Sequence, residues 1–146
     1  MPRGFQDVHL EIYSTIDALE VVQAVAERIA RQLGLGEEDL DWTTMAVREA
    51  VVNAIKHGNQ NDPAKLVFID FSTSPDGDTP DLIVRVRDQG PGFDGSGVAD
   101  PLEPTNVLKT SGRGIFLIKQ FMDDVTIQRA PAGGTEIRML KHIRPA

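Results

Sequence analysis

The chain has 146 residues, and its 22 Asp and Glu residues outnumber its 15 Lys and Arg residues, which gives a formal net charge of −7. This length predicts one domain over residues 1–146 and excludes a kinase core joined to a separate helical dimerisation module. Without cysteine, the chain cannot form a disulfide, a zinc finger or an iron–sulfur cluster. The acidic balance argues against direct nucleic-acid contact, since phosphate backbones require clustered Lys and Arg.

The first 35 residues predict a strand followed by a helix. Apolar and polar residues alternate from Val8 to Tyr13, as in a half-buried strand. Asp17 followed by Glu20 is typical of a capping box that opens a helix. Gly34 is the expected stop of this helix, whose apolar stripe comprises Leu19, Val22, Ala26, Ile29 and Leu33.

A second helix is predicted to begin near Glu37 and to run to about Lys56. We expect residues 57–59, His-Gly-Asn, to end it, because these residue types tolerate left-handed backbone. Lys65–Ser72 and Leu82–Asp88 then read as an antiparallel hairpin across a turn that is dense in Pro, Gly and Asp.

The last third of the chain is predicted to form a long loop, a helix and two strands. Residues 89–111 lack a clear period, and loops of this length in a compact domain are usually functional or disordered. A helix follows over about Gly114–Met122, and strands are predicted at Val125–Arg129 and Thr135–Lys141. This order predicts an α+β sandwich, in which helices cover one face of a mixed, mainly antiparallel sheet. No apolar run approaches the roughly 20 residues that span a bilayer, and no signal peptide opens the chain, so we expect a cytoplasmic protein that does not bind membranes.

Three patches could carry chemistry, and the first lies on the second helix. Glu49 and Asn53 are four residues apart and therefore share a helical face, among mostly apolar neighbours. A buried carboxylate or carboxamide there needs a partner, because an unpaired polar group costs about 1–3 kcal/mol. An ion pair of Glu49 with Arg48 or Lys56 on a half-exposed flank is the alternative.

The second patch follows the strand that ends near Asp88. Strand alternation places Asp88 on the same face as three apolar residues, where a carboxylate requires a specific donor, such as the exocyclic amine of a purine. An ordinary turn, in which Asp88 accepts hydrogen bonds from backbone amides, is the alternative. Gly90, Gly92 and Gly95 also match G-x-G-x-x-G. That dinucleotide fingerprint requires a parallel strand-helix-strand unit, which the preceding hairpin and the following prolines argue against.

The third patch comprises residues 110–114, immediately before the last helix. Its Ser111, Gly112 and Gly114 would let backbone amides approach an anion, Arg113 could grip phosphate oxygens, and a helix N-terminus adds positive potential. A flexible loop with a Ser or Thr cap is the alternative. Thr135 shares a strand face with Ile137 and Met139 and therefore points inward, as Asp88 does.

The order and spacing of these patches resemble the ATP-binding fold shared by gyrase, Hsp90, histidine kinases and MutL. The resemblance covers nearly the whole chain, and its motifs are Glu49-x-x-x-Asn53-Ala54-x-x-His57-Gly58, Asp88-x-Gly90-x-Gly92, Ser111-Gly112-Arg113-Gly114 and Gly134-Thr135. Within that superfamily the chain is most similar to the anti-sigma factor serine kinases of bacterial partner-switching systems.

The resemblance implies a role for each matching residue. It implies that Asn53 binds the Mg²⁺ on the ATP phosphates and that Glu49 is the general base. Asp88 would receive the adenine amine, with support from Thr135 through water. The resemblance also implies that Gly90 and Gly92 shape the adenine pocket. It assigns Gly112, Arg113 and Gly114 to the lid over the triphosphate. Ser111 would bind the nucleotide, and Lys56 would reach a phosphate.

Two functions remain open on this resemblance. The first is an ATP-dependent protein serine/threonine kinase that phosphorylates a small antagonist protein and holds a sigma factor, and members of the family often form homodimers. The second is a nucleotide-gated regulatory protein with little or no catalysis. A histidine kinase fragment would lack its dimerisation helices and acceptor histidine, and a gyrase-like ATPase would lack a transducer domain.

Overall fold

A computed structural model describes residues 7–74, 81–90 and 113–143. These ranges contain five strands and three α-helices: β1 (Val8–Tyr13), α1 (Leu19–Gln32), α2 (Glu37–Asn53), β2 (Leu66–Ser74), β3 (Asp81–Arg87), α3 (Arg113–Phe121), β4 (Asp124–Arg129) and β5 (Thr135–His142). A 3-10 turn, Ile16–Ala18, precedes α1, and a π-helical turn, Ala54–Gly58, continues α2. No helix in these ranges is long and apolar enough to cross a bilayer.

The five strands form one sheet in the order β1-β2-β3-β5-β4. Every neighbouring pair of described strands is antiparallel. The register places Phe71 opposite Val84 and Val84 opposite Met139, so apolar residues from three central strands line up across one face. The predicted α+β sandwich is confirmed, and the sheet that was expected to be mixed contains no parallel pair among these strands.

The core lies between this face and the helices. Buried and half-buried residues alternate along β2 and β3, because successive side chains of a strand point to opposite faces. The inward side chains form one cluster with residues of all three helices. Its largest fully buried members include Phe71, Leu19, Ile55, Ile69, Leu82, Ile115, Ile118 and Met139. The helices therefore cover one face of the sheet.

The predicted capping box at the start of α1 is wrong. Asp17 lies inside the 3-10 turn, so it cannot adopt the extended conformation that an N-cap requires. Ala18 precedes α1 in helical conformation and provides no side-chain cap. The predicted stop at Gly34 is confirmed, since Gly34 follows α1 with a φ of +86°.

The end of α2 also differs from its prediction. Residues 57–59 were expected to carry the left-handed backbone, but the positive φ angles fall at Gln60 (53°) and Asn61 (59°). The reason is that the helix widens before it ends: the amide of Asn59 donates to the carbonyl of Ala54 at 2.8 Å, a five-residue step. The widened turn carries the helix two residues further before the chain reverses.

Gly34 provides a test of the α1 stop. We expect Gly34→Ala to lower the free energy of unfolding by about 1–2 kcal/mol, because a Cβ disfavours left-handed backbone. Apart from the two chain neighbours of Gly34, no atom of the described residues lies within 4 Å of the position that this Cβ would take, so the loss would come from the backbone alone. Gly34→Asn should lose less, since Asn tolerates this conformation. Urea unfolding measures both variants, and equal losses would contradict the explanation.

Candidate functional site

The last turns of α2 carry the first part of the site. Asn53 is buried and Glu49 is half-buried, one helical turn apart on the same face. The side-chain nitrogen of Asn53 is buried and has no hydrogen-bond partner among the described residues. Arg48 donates to the side-chain oxygen of Gln23 at 3.2 Å, so its guanidinium is engaged away from Glu49. The alternative ion pair of Glu49 with Arg48 or Lys56 is therefore absent from the described structure.

The amide of Asn53 lies against the start of α3. A Cβ added at Gly114 would lie 2.9 Å from Asn53 Nδ2 and 3.1 Å from Asn53 Oδ1. Only glycine lets the two helices approach this closely without displacing the amide. An unsatisfied buried polar group costs about 1–3 kcal/mol, so the position of Asn53 is suited to a polar ligand that binds between α2 and the first turn of α3.

The second part of the site is the buried carboxylate of Asp88, directly after β3. Its Oδ1 accepts hydrogen bonds from the backbone amides of Gly90 at 2.9 Å and Thr135 at 3.1 Å. The amide of Asp88 donates in turn to the carbonyl of Thr135 at 3.0 Å. The predicted inward orientation and the alternative turn are thus both present. Oδ1 accepts hydrogen bonds from two backbone amides, and among the described residues no backbone amide donates to Oδ2.

Three glycines surround Asp88 and leave no room for side chains. A Cβ at Gly58 would overlap Asp88 Oδ2, and one at Gly134 would overlap the backbone carbonyl of Asp88. A Cβ at Gly90 would overlap the carbonyl of Gly58. The end of α2, the end of β3 and the start of β5 therefore meet at this carboxylate. Gly58 is required for contact with Asp88 and is more than a helix stop.

Burial raises the pKa of Asp88 above its ordinary value of 3.8. Removal of the carboxylate from water is the main cause, because it disfavours the charged form. The amide hydrogen bonds from Gly90 and Thr135, and the positive charge of Lys65, act in the opposite direction and only partly offset it. The two backbone donors thus fix the orientation of the Asp88 side chain, while its burial disfavours the ionised form of the carboxylate.

Asn59 joins three elements beneath Asp88, and the sequence reasoning missed it. This fully buried side chain donates to Ser14 Oγ at 2.7 Å and to the carbonyl of Leu66 at 2.9 Å. It also accepts the amide hydrogen of Gln89 at 2.7 Å, and the side chain of Gln89 accepts the amide hydrogen of Leu66 at 2.7 Å. Asn59 thereby connects the residue after Asp88 to Ser14, directly after β1, and to the first residue of β2. In the sequence it reads only as part of the helix stop.

The structure describes only some of the other residues that were predicted to belong to the site. Lys56 is exposed at the end of α2, and Thr135 is next to Asp88. Arg113 is the first residue of α3. Gly92, Ser111 and Gly112 lie outside the described residues. Because β3 pairs antiparallel with both of its neighbours, the parallel unit required by the dinucleotide fingerprint is not present there.

The two parts of the site are joined by the single helical segment from Glu49 to Gly58. Its first turn carries the Glu49 carboxylate and the Asn53 carboxamide. Gly58, at its other end, packs on the buried Asp88 carboxylate, which can accept a hydrogen bond from an amine. In the described ranges, no three His, Cys, Asp or Glu side chains are grouped so that they could hold a metal ion. A divalent ion at Asn53 would therefore not be held by described side chains alone, and its other ligands would come from a bound anion, from water or from residues outside these ranges.

Comparison with known proteins identifies the family of the chain. Residues 12–141 match the model of the histidine kinase-like ATPase domain. The anti-sigma F factor of Anoxybacillus flavithermus is 32% identical over 139 residues, which cover 94% of this chain and 92% of that protein. The serine-protein kinase RsbW of Staphylococcus epidermidis is 26% identical over 144 residues, covering 94% and 87%.

A crystal structure of the RsbU and RsbW domains of a Mycobacterium tuberculosis protein has a similar fold. It superposes with a TM-score of 0.63 at 21% identity, covering 97% of this chain and 34% of that chain. At this identity the likeness concerns the fold alone. The present chain corresponds to about a third of that longer protein.

The raised pKa of Asp88 can be tested by Asp88→Asn, which keeps Oδ1 as acceptor and removes the titrating group. The unfolded side chain ionises near 3.8, whereas the buried one stays protonated to higher pH. Wild-type stability should therefore fall relative to Asp88→Asn as the pH rises through the raised pKa. Chemical unfolding of both proteins from about pH 3 to pH 7 gives the difference. A difference independent of pH would contradict the effect of burial.

Asn59→Ala tests the connection beneath Asp88. The variant leaves the amide of Gln89 and the carbonyl of Leu66 without their partner, which should lower the free energy of unfolding by about 1–3 kcal/mol. It should also weaken nucleotide binding, because the backbone after Asp88 loses its support. Denaturant unfolding and calorimetry with a non-hydrolysable ATP analogue measure the two effects. Gln60→Ala, at the exposed neighbour, is the control that should change neither.

Proposed function

Because the chain belongs to the histidine kinase-like ATPase domain family and is related over most of its length to anti-sigma F factors, we propose that it is an ATP-dependent protein serine/threonine kinase. In this proposal it acts as an anti-sigma factor in a partner-switching system and phosphorylates a small antagonist protein on Ser or Thr. The observation that carries the proposal is the joint placement of Glu49, Asn53 and Asp88 by one helical segment and its contact with β3.

The described residues are suited to ATP with Mg²⁺. The adenine amine would donate to Asp88, whose Oδ1 accepts from two backbone amides and whose Oδ2 accepts from no amide in the part of the chain that the structure describes. The nitrogen of the Asn53 amide is buried and has no described partner. The oxygen of the same amide would bind Mg²⁺. When bound, Mg·ATP supplies the phosphoryl group and part of the charge neutralisation that phosphoryl transfer requires.

Glu49 has the position expected of a general base. It is half-buried on the face of α2 that Asn53 shares, so a hydroxyl group presented from outside can reach it. No ion pair with a described cation holds its carboxylate, and the guanidinium of Arg48 is bound to Gln23 instead. Glu49 would orient a Ser or Thr hydroxyl and accept its proton at the carboxylate.

The partner proteins follow from the family relationship. We expect the unphosphorylated antagonist to be the substrate and a sigma factor to be the second binding partner, with the kinase acting as a cytoplasmic homodimer. By their positions in the family motifs, Gly92 is assigned to the adenine pocket, Gly112 and Arg113 to the lid, Lys56 to the phosphates, and Ser111 to nucleotide binding. The net charge of −7 favours protein partners over nucleic acid.

Glu49→Gln separates catalysis from binding. The amide keeps the size of the carboxylate but cannot accept the proton, so we expect phosphate transfer to the antagonist to fall by about 100-fold or more. Affinity for a non-hydrolysable ATP analogue should change less than about threefold, because Glu49 is not placed in the base pocket. Labelled ATP with Mg²⁺ and the purified antagonist measures transfer, and calorimetry measures binding.

Asn53→Ala is the comparison for that experiment, since it should weaken Mg²⁺-dependent nucleotide binding as well as transfer. Equal transfer by wild type and Glu49→Gln would remove Glu49 from the mechanism. If wild type formed no phosphoprotein while nucleotide still changed its affinity for a partner, the protein would be a nucleotide-gated regulator, and the kinase proposal would fail.

A further inference from the structure

The solvent-facing side of α2 carries large apolar side chains close to Glu49. Trp42 is 40% exposed and Met45 is 43% exposed. The ring of Trp42 stacks on Phe121 of α3, with centroids 5.8 Å apart and an interplanar angle of 19°. We call the surface formed by Trp42, Met45 and Phe121 the α2–α3 patch. Tryptophan and methionine are enriched in protein–protein interfaces, where an exposed Trp often carries much of the binding energy.

The patch is continuous with the candidate base. Met45 precedes Glu49 by four residues and Trp42 precedes it by seven, so all three lie along one side of the helix. One helical turn spans about 5.4 Å. A folded protein that presents a hydroxyl group to Glu49 is much wider than one turn, so it would also cover Met45 and reach Trp42. A free amino acid or a small metabolite would not.

The charges around the patch define the chemistry of its occupant. Glu38 and Asp41 are exposed one turn before Trp42 and Met45, and Glu49 lies on the other side. This acidic border, in a chain of net charge −7, favours a partner that surrounds an apolar contact with Lys or Arg. A second copy joined through the same patch would bring Glu38 and Asp41 of both copies together, since an isologous contact pairs identical surfaces.

From this position and charge we propose that the α2–α3 patch is the docking surface for the phosphoacceptor protein. The inference rests on the proposed kinase function and adds to it the surface that selects the substrate. The acceptor protein would place an apolar side chain against Trp42 and Met45, with basic residues next to Glu38 and Asp41, while its Ser or Thr hydroxyl reaches Glu49.

Trp42 provides a direct signal for docking, because it is the single tryptophan of the chain. Titration of wild type with the purified antagonist protein of the same organism, lacking tryptophan or substituted to lack it, should change the Trp42 emission as the ring is covered. Met45→Glu should weaken this binding by about tenfold or more, which corresponds to about 1.4 kcal/mol. Val21→Glu is the matched control, since Val21 is 60% exposed on α1 and should leave the affinity unchanged.

Kinetics test whether the patch acts on substrate selection alone. Met45→Glu should raise KM for the antagonist by about tenfold, with kcat at saturation and KM for ATP changed less than about twofold. Asp41→Lys should also raise KM for the antagonist, and its effect should shrink at high salt, as expected for an exposed charge. Met45→Ala, which adds no charge, should show a smaller change in the same direction.

The outcomes separate this inference from the kinase proposal. If wild type transfers phosphate and Met45→Glu has the wild-type KM for the antagonist, the docking surface is wrong and the kinase proposal stands. If wild type transfers no phosphate, the kinase proposal fails, and the Trp42 titration then decides docking: tenfold weaker binding by Met45→Glu supports it, and unchanged binding overturns it. If Met45→Glu instead alters the sedimentation of the protein alone, a second copy occupies the patch, and the inference is overturned.

Discussion

The close packing of backbone around the Asp88 carboxylate is the constraint on which the site depends. A Cβ at Gly58 or at Gly134 would overlap Asp88, and a Cβ at Gly90 would overlap the carbonyl of Gly58. The contact joins the π-helical turn after α2 to the end of β3 and to the start of β5, which are far apart in sequence. It also keeps the carboxylate out of water, and this burial raises its pKa. A polar group held in this way is suited to recognise a hydrogen-bond donor.

The same contact fixes the relation between the two parts of the site. Because α2 continues through a π-helical turn to Gly58, the position of Asp88 sets the position of Asn53 and Glu49 further up the helix. Gly114 then allows α3 to begin against Asn53. The residues proposed for catalysis and for adenine recognition are thus positioned by one helical segment, and phosphoryl transfer depends chiefly on such positioning. Trp42 and Met45, which form part of the proposed docking surface, are exposed on the same helix.

Much of the secondary structure was predictable from the sequence because it follows from local periodicity. Apolar alternation in the first strand and turn signals between the later ones predicted the five described strands, and their bounds in the structure differ from the predictions by at most two residues. The stripe on α1, the stop at Gly34 and the inward side chain of Asp88 follow from the same rules. The wrong capping box and the displaced left-handed residues after α2 occur at helix ends, where side-chain contacts with the rest of the fold outweigh local preference.

The sequence by itself determined the α+β class, the antiparallel hairpin and the grouping of Glu49 with Asn53, because these depend on spacing within single elements. The motifs and their order also determined the family. Only the tertiary structure decided that Asn59 supports the turn after Asp88, that Gly58 and Gly134 pack on that carboxylate, and that Trp42 stacks on Phe121. These contacts join residues up to 79 positions apart, as Trp42 and Phe121 are, and no local pattern encodes which distant side chain a residue will meet.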